Sequence, residues 1–552
     1  MTALIDRHKP LLDQAMAALH VRQFWTPFPE IPSGKIYGDS AKTDGERDFQ
    51  ALIGQPFDIP GHPETHRVGA EESPWGLTLG VTYPAADAET LIRASEAAAP
   101  AWADASPEAR AGVLAEVLVR LNAQSFLIGH ATMHTTGQAF PMAFQAGGPH
   151  AQDRALEALA VAYGEQTRFA TAAQWTKPQG KAAPLSIEKH WTIVPRGLAL
   201  AIGCNTFPTW NSYPGIFASL ATGNTVIVKP HPNAILPLAL TVRMMRDVLA
   251  EAGFPRDVIL LATDEAGAEI TRALVTASEV QVIDYTGSNA FGTWVRDNAA
   301  GAQVFTEEAG VNSVVIAGTD DFDAMCANLA FSLALYSGQM CTAPQNFYVP
   351  ADGIDTDQGH KSFDDVATAL AAAVDHLLAD PAAAAAVAGR IANPATLDRV
   401  RAARGLGTVV RESSPLDGTQ SATPLILAVD ADATDAHKSE QFGPIAFVIR
   451  TKDTTSAIDQ AAELARQKGA ITVAYYDTDE SRIDHAIRAF ARAGVNLSIN
   501  LTGNIYVNQS AAFSDFHVTG ANPAGNASLT DTAFVAPRFT RAMWRRPVPN
   551  AT

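Results

Sequence analysis

The pattern of apolar and polar positions changes several times along this chain. Residues 5–19 have the period of an amphipathic helix. The sequence from there to about residue 75 is punctuated by proline and glycine, as in FWTPFPEIPSGKIYG and FDIPGHPETH. Residues 87–170 are rich in alanine and helical in period, with a break at residues 135–141. The pattern therefore predicts an ordered but mostly non-repetitive N-terminal arm, followed by a helical segment.

From residue 198 onwards, short apolar runs alternate with longer helical stretches. The predicted strands are residues 198–202, 225–229, 258–262, 280–285, 314–317, 445–449, 471–475 and 495–499. The predicted helices are residues 233–252, 266–276, a helix from residue 289, and residues 322–335 and 456–467. This alternation is typical of βαβ units, so we expect an α/β fold with doubly wound parallel sheets.

Composition and charge narrow the class of protein. The chain has 552 residues, with 40 basic and 58 acidic side chains and a net charge of −18, which argues against a nucleic-acid surface. It contains no run of about eighteen uncharged apolar residues and no apolar segment of a secretory signal near its start. Three cysteines in so long a chain do not form a disulfide framework. These features predict a cytoplasmic protein that acts on a small molecule, without a membrane or nucleic-acid partner.

The most informative cysteine is Cys341, in SGQMCTAPQ. A thiol on a turn of small residues can be surrounded by backbone N–H groups, and its thiolate is a nucleophile. A lone cysteine is more often a buried packing residue, which is what we expect of Cys204 and Cys326. The other motifs of the chain must therefore decide the role of Cys341.

Five further segments accompany this cysteine: CNTFPTWN, VIVKPHPN, YTGSNAFG, FTEEAGVNSVVIAG and EQFGPIAFV. In this order and at these separations they resemble the aldehyde dehydrogenase superfamily, over roughly residues 75–545. The long N-terminal arm and the runs CNTFPTWNSYPG and VIVKPHP are most similar to the PaaN-type dehydrogenase of phenylacetate degradation. The resemblance supplies the expectations that follow.

The resemblance implies that Cys341 attacks the aldehyde carbonyl, passes hydride from a thiohemiacetal to a nicotinamide cofactor and is left as a thioester. Alignment of SVVIA and TDDFD without gaps places the family's general base on Glu307. The adjacent Glu308 would then point to the opposite side of an extended segment, where a solvated or salt-bridged state is expected.

The oxyanion donor of the family is the asparagine of an Asn-Phe-Pro segment, and this sequence departs from that pattern. Counting back from Lys229 places the family's asparagine position on Thr206, and Asn205 lies one residue before it. Either the Thr206 hydroxyl or, through a local bulge, the Asn205 amide would serve the oxyanion. The backbone N–H of Cys341 would be a further donor.

The resemblance also implies a dinucleotide site. Gly287, Ser288 and Gly292 form a turn between a strand and a helix, where a backbone can approach a pyrophosphate. Lys229 would bond the adenosine ribose. Glu440 and Phe442 would hold the nicotinamide ribose and ring.

Three residues after Lys229, NAD-preferring relatives have a glutamate that grips the ribose hydroxyl, whereas this chain has Pro232. Pro232 has no carboxylate that would repel a 2′-phosphate. A protonated His231 nearby would attract that phosphate. We therefore expect NADP to be preferred, with NAD possible.

Two pairs of histidines have helical i, i+4 spacing, His130 with His134 and His62 with His66. Neither pair has a glutamate in the zinc-protease position or a nearby third ligand. We expect both pairs to be structural, and no metal site is predicted.

The sequence thus predicts an aldehyde dehydrogenase-like α/β fold with a small β oligomerisation element. The expected divisions are an arm at 1–75, a dinucleotide-binding domain at 76–304 with an oligomerisation strand near 185–194, a catalytic domain at 305–500, and a return to the core followed by an oligomerisation tail at 501–552. The expected assembly is a homodimer or homotetramer.

The expected activity is NAD(P)-dependent oxidation of an aldehyde to an acid, with a CoA-linked semialdehyde as substrate. The alternatives are a CoA-acylating dehydrogenase and a catalytically idle structural or binding member of the fold. Glu307, which hydrolysis needs and acylation of CoA does not, favours hydrolysis over the first alternative.

Overall fold

The computed structural model describes residues 2–308, 310–416 and 420–548. The last four residues of the predicted tail, 549–552, and the first residue of the predicted arm lie outside this range. The helices are α1 (Thr2–Val21), α2 (Gly34–Tyr37), α3 (Ala41–Gln50), α4 (Ala88–Ala103), α5 (Pro107–Ala123), α6 (Ser125–Thr136), α7 (Phe140–Gly147), α8 (Pro149–Thr167), α9 (Pro208–Ala221), α10 (Leu236–Glu251), α11 (Ile270–Thr276), α12 (Asn289–Asn298), α13 (Phe322–Ala334), α14 (Phe363–Leu377), α15 (Pro381–Ala388), α16 (Pro394–Ala403), α17 (Thr434–His437), α18 (Thr454–Lys468), α19 (Glu480–Ala493) and α20 (Thr532–Val535).

The strands are β1 (His66–Val68), β2 (Tyr83–Ala85), β3 (Ala172–Gln179), β4 (Ala182–Pro195), β5 (Leu198–Ile202), β6 (Thr225–Lys229), β7 (Ile259–Leu261), β8 (Val280–Gly287), β9 (Gln303–Glu308), β10 (Ser313–Ile316), β11 (Gly318–Thr319), β12 (Asn346–Pro350), β13 (Ile354–Thr356), β14 (Gly359–Lys361), β15 (Thr408–Arg411), β16 (Leu425–Asp430), β17 (Ile445–Thr451), β18 (Thr472–Tyr476), β19 (Asn496–Ile499) and β20 (Phe539–Pro547). Among the predicted elements, the strands at 198–202 and 225–229 have the bounds of β5 and β6, and the others differ by a few residues.

The first sheet is parallel, with the order β7-β6-β5-β8-β9. Successive side chains of a strand point to opposite faces of the sheet. Alternate residues of these strands therefore pack into two different hydrophobic cores. Leu200 and Ile202 pack with α4, α11 and α12, whereas Ala199 and Ala201 pack with α5, α8, α9 and α10. Helices thus cover both faces, as the wholly apolar strands require.

The second sheet has the order β15-β16-β17-β12-β10-β18-β19 and is parallel except at β15. Val315 packs with α18 and α19, whereas Val314 and Ile316 pack with α13 and α14 on the other face. This second doubly wound layer agrees with the α/β fold class expected from the sequence.

A third, antiparallel sheet has the order β20-β4-β3 and projects from the first sheet. It contains the predicted oligomerisation strand and the C-terminal strand, and we call it the three-stranded arm. The segment before β20 is fixed to the first sheet by Arg538, which lies 2.6 Å from the Asp284 carboxylate and is fully buried. The arm therefore emerges from a rigid attachment point.

Two predictions need correction at the level of elements. The N-terminal arm contains α2, α3 and β1 in addition to the expected first helix, because its short segments pack on the main core, as Phe49 and Phe57 show. The boundary expected after residue 304 falls inside β9, which pairs with β8 in the first sheet. The chain passes to the second sheet only between Glu308 and Ser313.

No single helix among the described residues is long and apolar enough to cross a membrane. Two sharply bent helix pairs, α5 with α6 and α14 with α15, meet the length and composition criteria only when taken together.

Candidate active site

Cys341 lies in the loop that follows α13, and the backbone of this loop is unusual. Tyr336, Ser337 and Gly338 all have positive φ angles, of 51°, 50° and 63°. A Cβ on Gly338 would collide with the backbone of Gly443, so this position accepts only glycine. Cys341 as a whole residue is half-buried.

Asn312 fixes this loop against the second sheet. Its Nδ2 donates to the carbonyl oxygens of Cys341 at 2.7 Å and Ala343 at 3.1 Å. Its Oδ1 accepts from the backbone N–H groups of Ile471 and Thr472, at 3.0 and 3.1 Å. One buried amide side chain therefore sets the position of the thiol relative to the start of β18.

The adjacent glutamates at the end of β9 point to opposite sides. The Glu307 carboxylate faces the thiol, with the Cys341 sulfur and a Glu307 oxygen within 4.8 Å of each other. The Glu308 carboxylate forms a salt bridge with Arg296 of α12. The geometry therefore distinguishes the two carboxylates in the way that the sequence alignment predicts, and the catalytic role of Glu307 stays a prediction.

A histidine that sequence reasoning did not identify completes this cluster. His517 Nε2 lies 2.9 Å from Glu307 Oε1 and 3.5 Å from Cys341 Sγ, and only 4% of the His517 side chain is exposed. Its segment runs beside β9, where Glu308 donates its N–H to the Ala524 carbonyl at 2.7 Å and Glu307 bridges to Gly525. This loop pairing brings His517 to the carboxylate from 210 positions away.

Helix α9 supplies the other wall of the cluster. Asn211 Nδ2 donates to Glu307 Oε2 at 3.1 Å, and the thiol of Cys204 donates to Asn211 Oδ1 at 3.5 Å. Trp210 packs edge-on against the His517 ring, with 4.5 Å between ring centroids. The cysteine, carboxylate and imidazole are thus enclosed by polar and aromatic side chains.

Burial and charge set the protonation of these groups. Burial alone would raise the pKa of Glu307, but the charge and hydrogen bond of His517, with hydrogen bonds from Cys341 and Asn211, leave it below its usual value. Burial and the Glu307 carboxylate raise the pKa of the Cys341 thiol well above its usual value. The resting site therefore combines an ionised carboxylate with a thiol whose ionisation needs help.

The two candidate oxyanion donors have different surroundings. The Thr206 hydroxyl lies 3.9 Å from Cys204 Sγ, and the Thr206 carbonyl accepts from Gln138 Nε2 at 2.8 Å. The buried Oδ1 of Asn205 has no hydrogen-bond partner among the described residues. Both residues lie in the loop between β5 and α9, and both stay candidates.

The predicted pyrophosphate turn lies at the carboxyl edge of the first sheet. Ser288 caps α12 by accepting from the Phe291 N–H at 3.4 Å. Residues 288–290 are exposed, so a phosphate could approach the N-terminus of this ten-residue helix. A Cβ on Gly292 would collide with the Glu308 carboxylate. Close packing against Glu308 is therefore the reason why a glycine is needed at position 292. The exposed N-terminus of α12 therefore fits the pyrophosphate of a dinucleotide.

Lys229 ends β6 and is buried, with its Nζ 2.7 Å from Asp264 Oδ1. Asp264 follows β7, the neighbouring strand, so the carboxyl ends of two parallel strands bring the pair together. A carboxylate that the sequence argument did not consider therefore lies beside Lys229, although position 232 itself is a proline. Burial, and then the charge of Lys229, lowers the pKa of His231 to about 4, so His231 is neutral at physiological pH and cannot attract a phosphate in the expected way.

Glu440 and Phe442 lie in a loop fixed to the Cys341 segment. Gln345 Oε1 accepts from the Gln441 N–H at 2.7 Å, and Gln345 Nε2 donates to the Ser439 carbonyl at 3.1 Å. Burial raises the pKa of Glu440 to about 7 despite Arg399 nearby. Both residues lie next to the thiol loop, as a nicotinamide site requires, and their cofactor roles stay predictions.

Three of the paired histidines, His62, His130 and His134, and Cys326 have packing or hydrogen-bonding roles in the structure, whereas His66 is exposed. His134 stacks on Phe49 and shares a 2.8 Å hydrogen bond with Ser73. His62 Nε2 accepts from the Leu261 N–H at 2.9 Å. Cys326 lies in the core between α13 and the second sheet.

The thiol, imidazole and carboxylate of Cys341, His517 and Glu307 are donor types that zinc also accepts. The prediction of no metal site was made without this cluster, and it stays a prediction.

Comparison with known proteins bears on the family and the fold. The family profile described as "Aldehyde dehydrogenase family" matches residues 79–521. The N-succinylglutamate 5-semialdehyde dehydrogenase of Burkholderia thailandensis is 29% identical over 310 residues, which are 54% of this chain and 60% of that protein. The protein of the same name from Burkholderia multivorans is 25% identical over 437 residues, or 77% of this chain and 83% of that protein. The chain thus covers less than two thirds of the first relative's length.

Solved structures resemble the whole chain. A crystal structure of an NAD-dependent aldehyde dehydrogenase from Burkholderia multivorans has a TM-score of 0.97 and 52% identity, with 99% of both chains covered. A mutant of Thermus thermophilus 1-pyrroline-5-carboxylate dehydrogenase has a TM-score of 0.75 and 20% identity over 95% of this chain and 99% of that chain, which is a likeness of fold alone. The predicted fold class is therefore confirmed.

Proposed function

This chain belongs to the aldehyde dehydrogenase family, and we propose that it oxidises an aldehyde to a carboxylic acid with a nicotinamide dinucleotide. The observation that carries the proposal is the pairing of the thiol of Cys341, a half-buried residue, with the buried and ionised carboxylate of Glu307. A thiolate can form the covalent intermediate, and a carboxylate can activate the water that ends it.

Each residue has a role that follows from its position. Cys341 adds to the aldehyde carbonyl, and the resulting oxyanion accepts hydrogen bonds from the Cys341 N–H and from Asn205 or Thr206. The bound dinucleotide supplies the acceptor for the hydride. Glu307, with both oxygens already held by His517 and Asn211, is oriented to take a proton from the water that hydrolyses the thioester.

The alternatives are less well supported. A CoA-acylating enzyme would not need Glu307 to activate water, and an idle member of the fold would not need to hold an ionised carboxylate beside a thiol. If acyl-CoA rather than free acid accumulates when CoA is added, the hydrolytic proposal fails.

We propose a semialdehyde as the substrate class, with two specific candidates. The sequence resemblance to the PaaN type favours a CoA-linked semialdehyde. The names of the curated relatives favour N-succinylglutamate 5-semialdehyde. Because those relatives are less than 30% identical to this chain, both compounds belong in the assay.

The sequence argument favoured NADP, and the surroundings of Lys229 now favour NAD. Asp264 supplies a carboxylate that can accept from the ribose hydroxyls of NAD and would repel a 2′-phosphate. The Burkholderia multivorans structure at 52% identity is named as NAD-dependent. We therefore propose that NAD is the preferred cofactor.

We further propose a cytoplasmic homodimer or homotetramer without membrane or nucleic-acid partners. The net charge of −18 and the few cysteines support the location and partners. The exposed three-stranded arm supports the assembly.

The test is a spectrophotometric screen of both semialdehydes and simple aldehydes, with NAD and NADP in separate assays. Cys341→Ala should abolish reduction of the cofactor, because it removes the thiol that forms the proposed covalent intermediate, while the melting temperature and the Kd for NAD stay unchanged. Oxidation of any aldehyde by Cys341→Ala would disprove the assignment.

A further inference from the structure

His517 is the third member of the cluster around the thiol, and no sequence motif accounts for it. Its Nε2 contacts two groups of the proposed chemistry, Glu307 Oε1 at 2.9 Å and Cys341 Sγ at 3.5 Å. We propose that His517 is a catalytic residue whose Nε2–H is shared between the Cys341 thiolate and the Glu307 carboxylate. This inference rests on the proposed function, in which Cys341 is the nucleophile.

The hydrogen position follows from the contacts. A nitrogen lone pair 2.9 Å from an ionised carboxylate oxygen would be repelled, so Nε2 must carry the proton and donate to Glu307. The same N–H lies within reach of sulfur, and a thiolate is a far better acceptor than a thiol. While Cys341 is a thiol, its S–H donates to Glu307, and once Cys341 is ionised the His517 N–H can bond both the carboxylate and the sulfur.

The surroundings explain why the thiol needs this donor. The charged group facing it is Glu307 from β9, which disfavours a second negative charge, whereas Cys204 from the β5–α9 loop is titratable but kept neutral by its raised pKa. Arg154 of α8 lies behind Trp210 and is held by Glu157 at 2.8 Å, so its charge is already neutralised. Among the described side chains around Sγ, His517 is therefore the donor that can offset Glu307.

The step is an ionisation and changes no bond between heavier atoms. The Cys341 S–H bond breaks, its proton passes to solvent, and the electron pair stays on sulfur. His517 lowers the pH at which this happens by donating to the thiolate. By holding Oε1, it also fixes the carboxylate that later accepts a proton from water.

The test measures the thiol rather than turnover. We would follow iodoacetamide labelling of Cys341 against pH by mass spectrometry. Burial raises the pKa of Cys204 to about 11 and of Cys326 to about 12, and fragment-ion spectra assign the label to Cys341 separately from these two thiols. His517→Phe keeps a ring against Trp210 but removes the donor, whereas His517→Gln keeps an N–H near the Nε2 position.

At about pH 7 we expect His517→Phe to label at least about tenfold more slowly than the wild type, with an upward-shifted profile and the same limiting rate at high pH. His517→Gln should recover much of the rate. His360→Asn, at an exposed histidine, is the matched control and should label like the wild type. Equal profiles for the wild type and His517→Phe would overturn the proposal.

Two further measurements keep the test decisive. If His517→Phe does not fold, His517→Ala should label slowly and be accelerated by free imidazole, and no acceleration would count against the proposal. Wild-type labelling that speeds up with EDTA would mean that a metal holds the three groups, which also overturns it. If no aldehyde is oxidised but labelling depends on His517, the proposed function fails while the hydrogen bond from His517 to the Cys341 thiolate stands.

Discussion

At the scale of single residues, the two carboxylates that end β9 have opposite environments. Glu307 contacts His517 and Asn211, and its pKa is lowered by them against the effect of burial. Glu308 is as deeply buried but is paired with Arg296 and packed against Gly292. A carboxylate that is committed to a guanidinium is a poor general base.

Glu307→Gln should slow release of the acid by about 10²- to 10⁴-fold, because it removes the base that activates water. Hydride transfer should persist, so stopped-flow absorbance should show a burst of reduced cofactor followed by a slow steady state. Glu308→Gln is the matched control and should lack this burst. A burst in Glu308→Gln and none in Glu307→Gln would mean that the alignment is off by one residue.

At the scale of elements, the ends of parallel strands bring together residues that lie apart in the chain. Lys229 ends β6 and Asp264 follows β7, and the two strands are neighbours in the first sheet. Ligands of open α/β sheets bind at this edge. Cofactor choice is therefore a property of two adjacent strand ends rather than of one motif.

Asp264→Asn should improve NADP binding relative to NAD by about tenfold or more, because a like charge facing the 2′-phosphate is removed. The ratio of the two Kd values, measured by tryptophan fluorescence, should be flat between about pH 6 and pH 8, since the low pKa of His231 keeps it neutral there. Glu265→Gln, at the exposed neighbour, should leave the ratio unchanged. Wild-type preference for NADP would contradict this account.

At the scale of the whole molecule, the three-stranded arm stands apart from both doubly wound layers. Every residue of β3 is exposed, and Trp175 and Leu185 present large apolar side chains on one face. Both outer strands also leave backbone groups unpaired at their free edges. Such a surface is typical of a subunit interface.

Leu185→Glu should shift the assembly towards smaller species in light scattering, because it places a charge in the apolar face of the arm. Val119→Glu, which changes a similarly exposed apolar residue on α5, is the control and should leave the mass unchanged. A wild-type protein that is monomeric at micromolar concentration would exclude this role of the arm.

Features that depend on neighbours along the chain could be predicted from the amino-acid sequence. The five-residue apolar runs predicted β5 and β6, because a strand covered by helices on both faces must be apolar throughout. The alternation of an extended segment separated Glu307 from Glu308. The small residues around Cys341 indicated an accessible thiol, and five motifs in order indicated the family.

Only the tertiary structure brought His517 to Cys341 and Asp264 to Lys229. A single histidine or aspartate in a loop has no period and no partner within a few residues, so no local signal distinguishes it from a solvated one. His517 is placed by the pairing of residues 524–526 with β9, and Asp264 by the order of strands in the first sheet. Local periodicity is set by interactions a few residues apart, whereas these contacts exist only after distant segments have packed together.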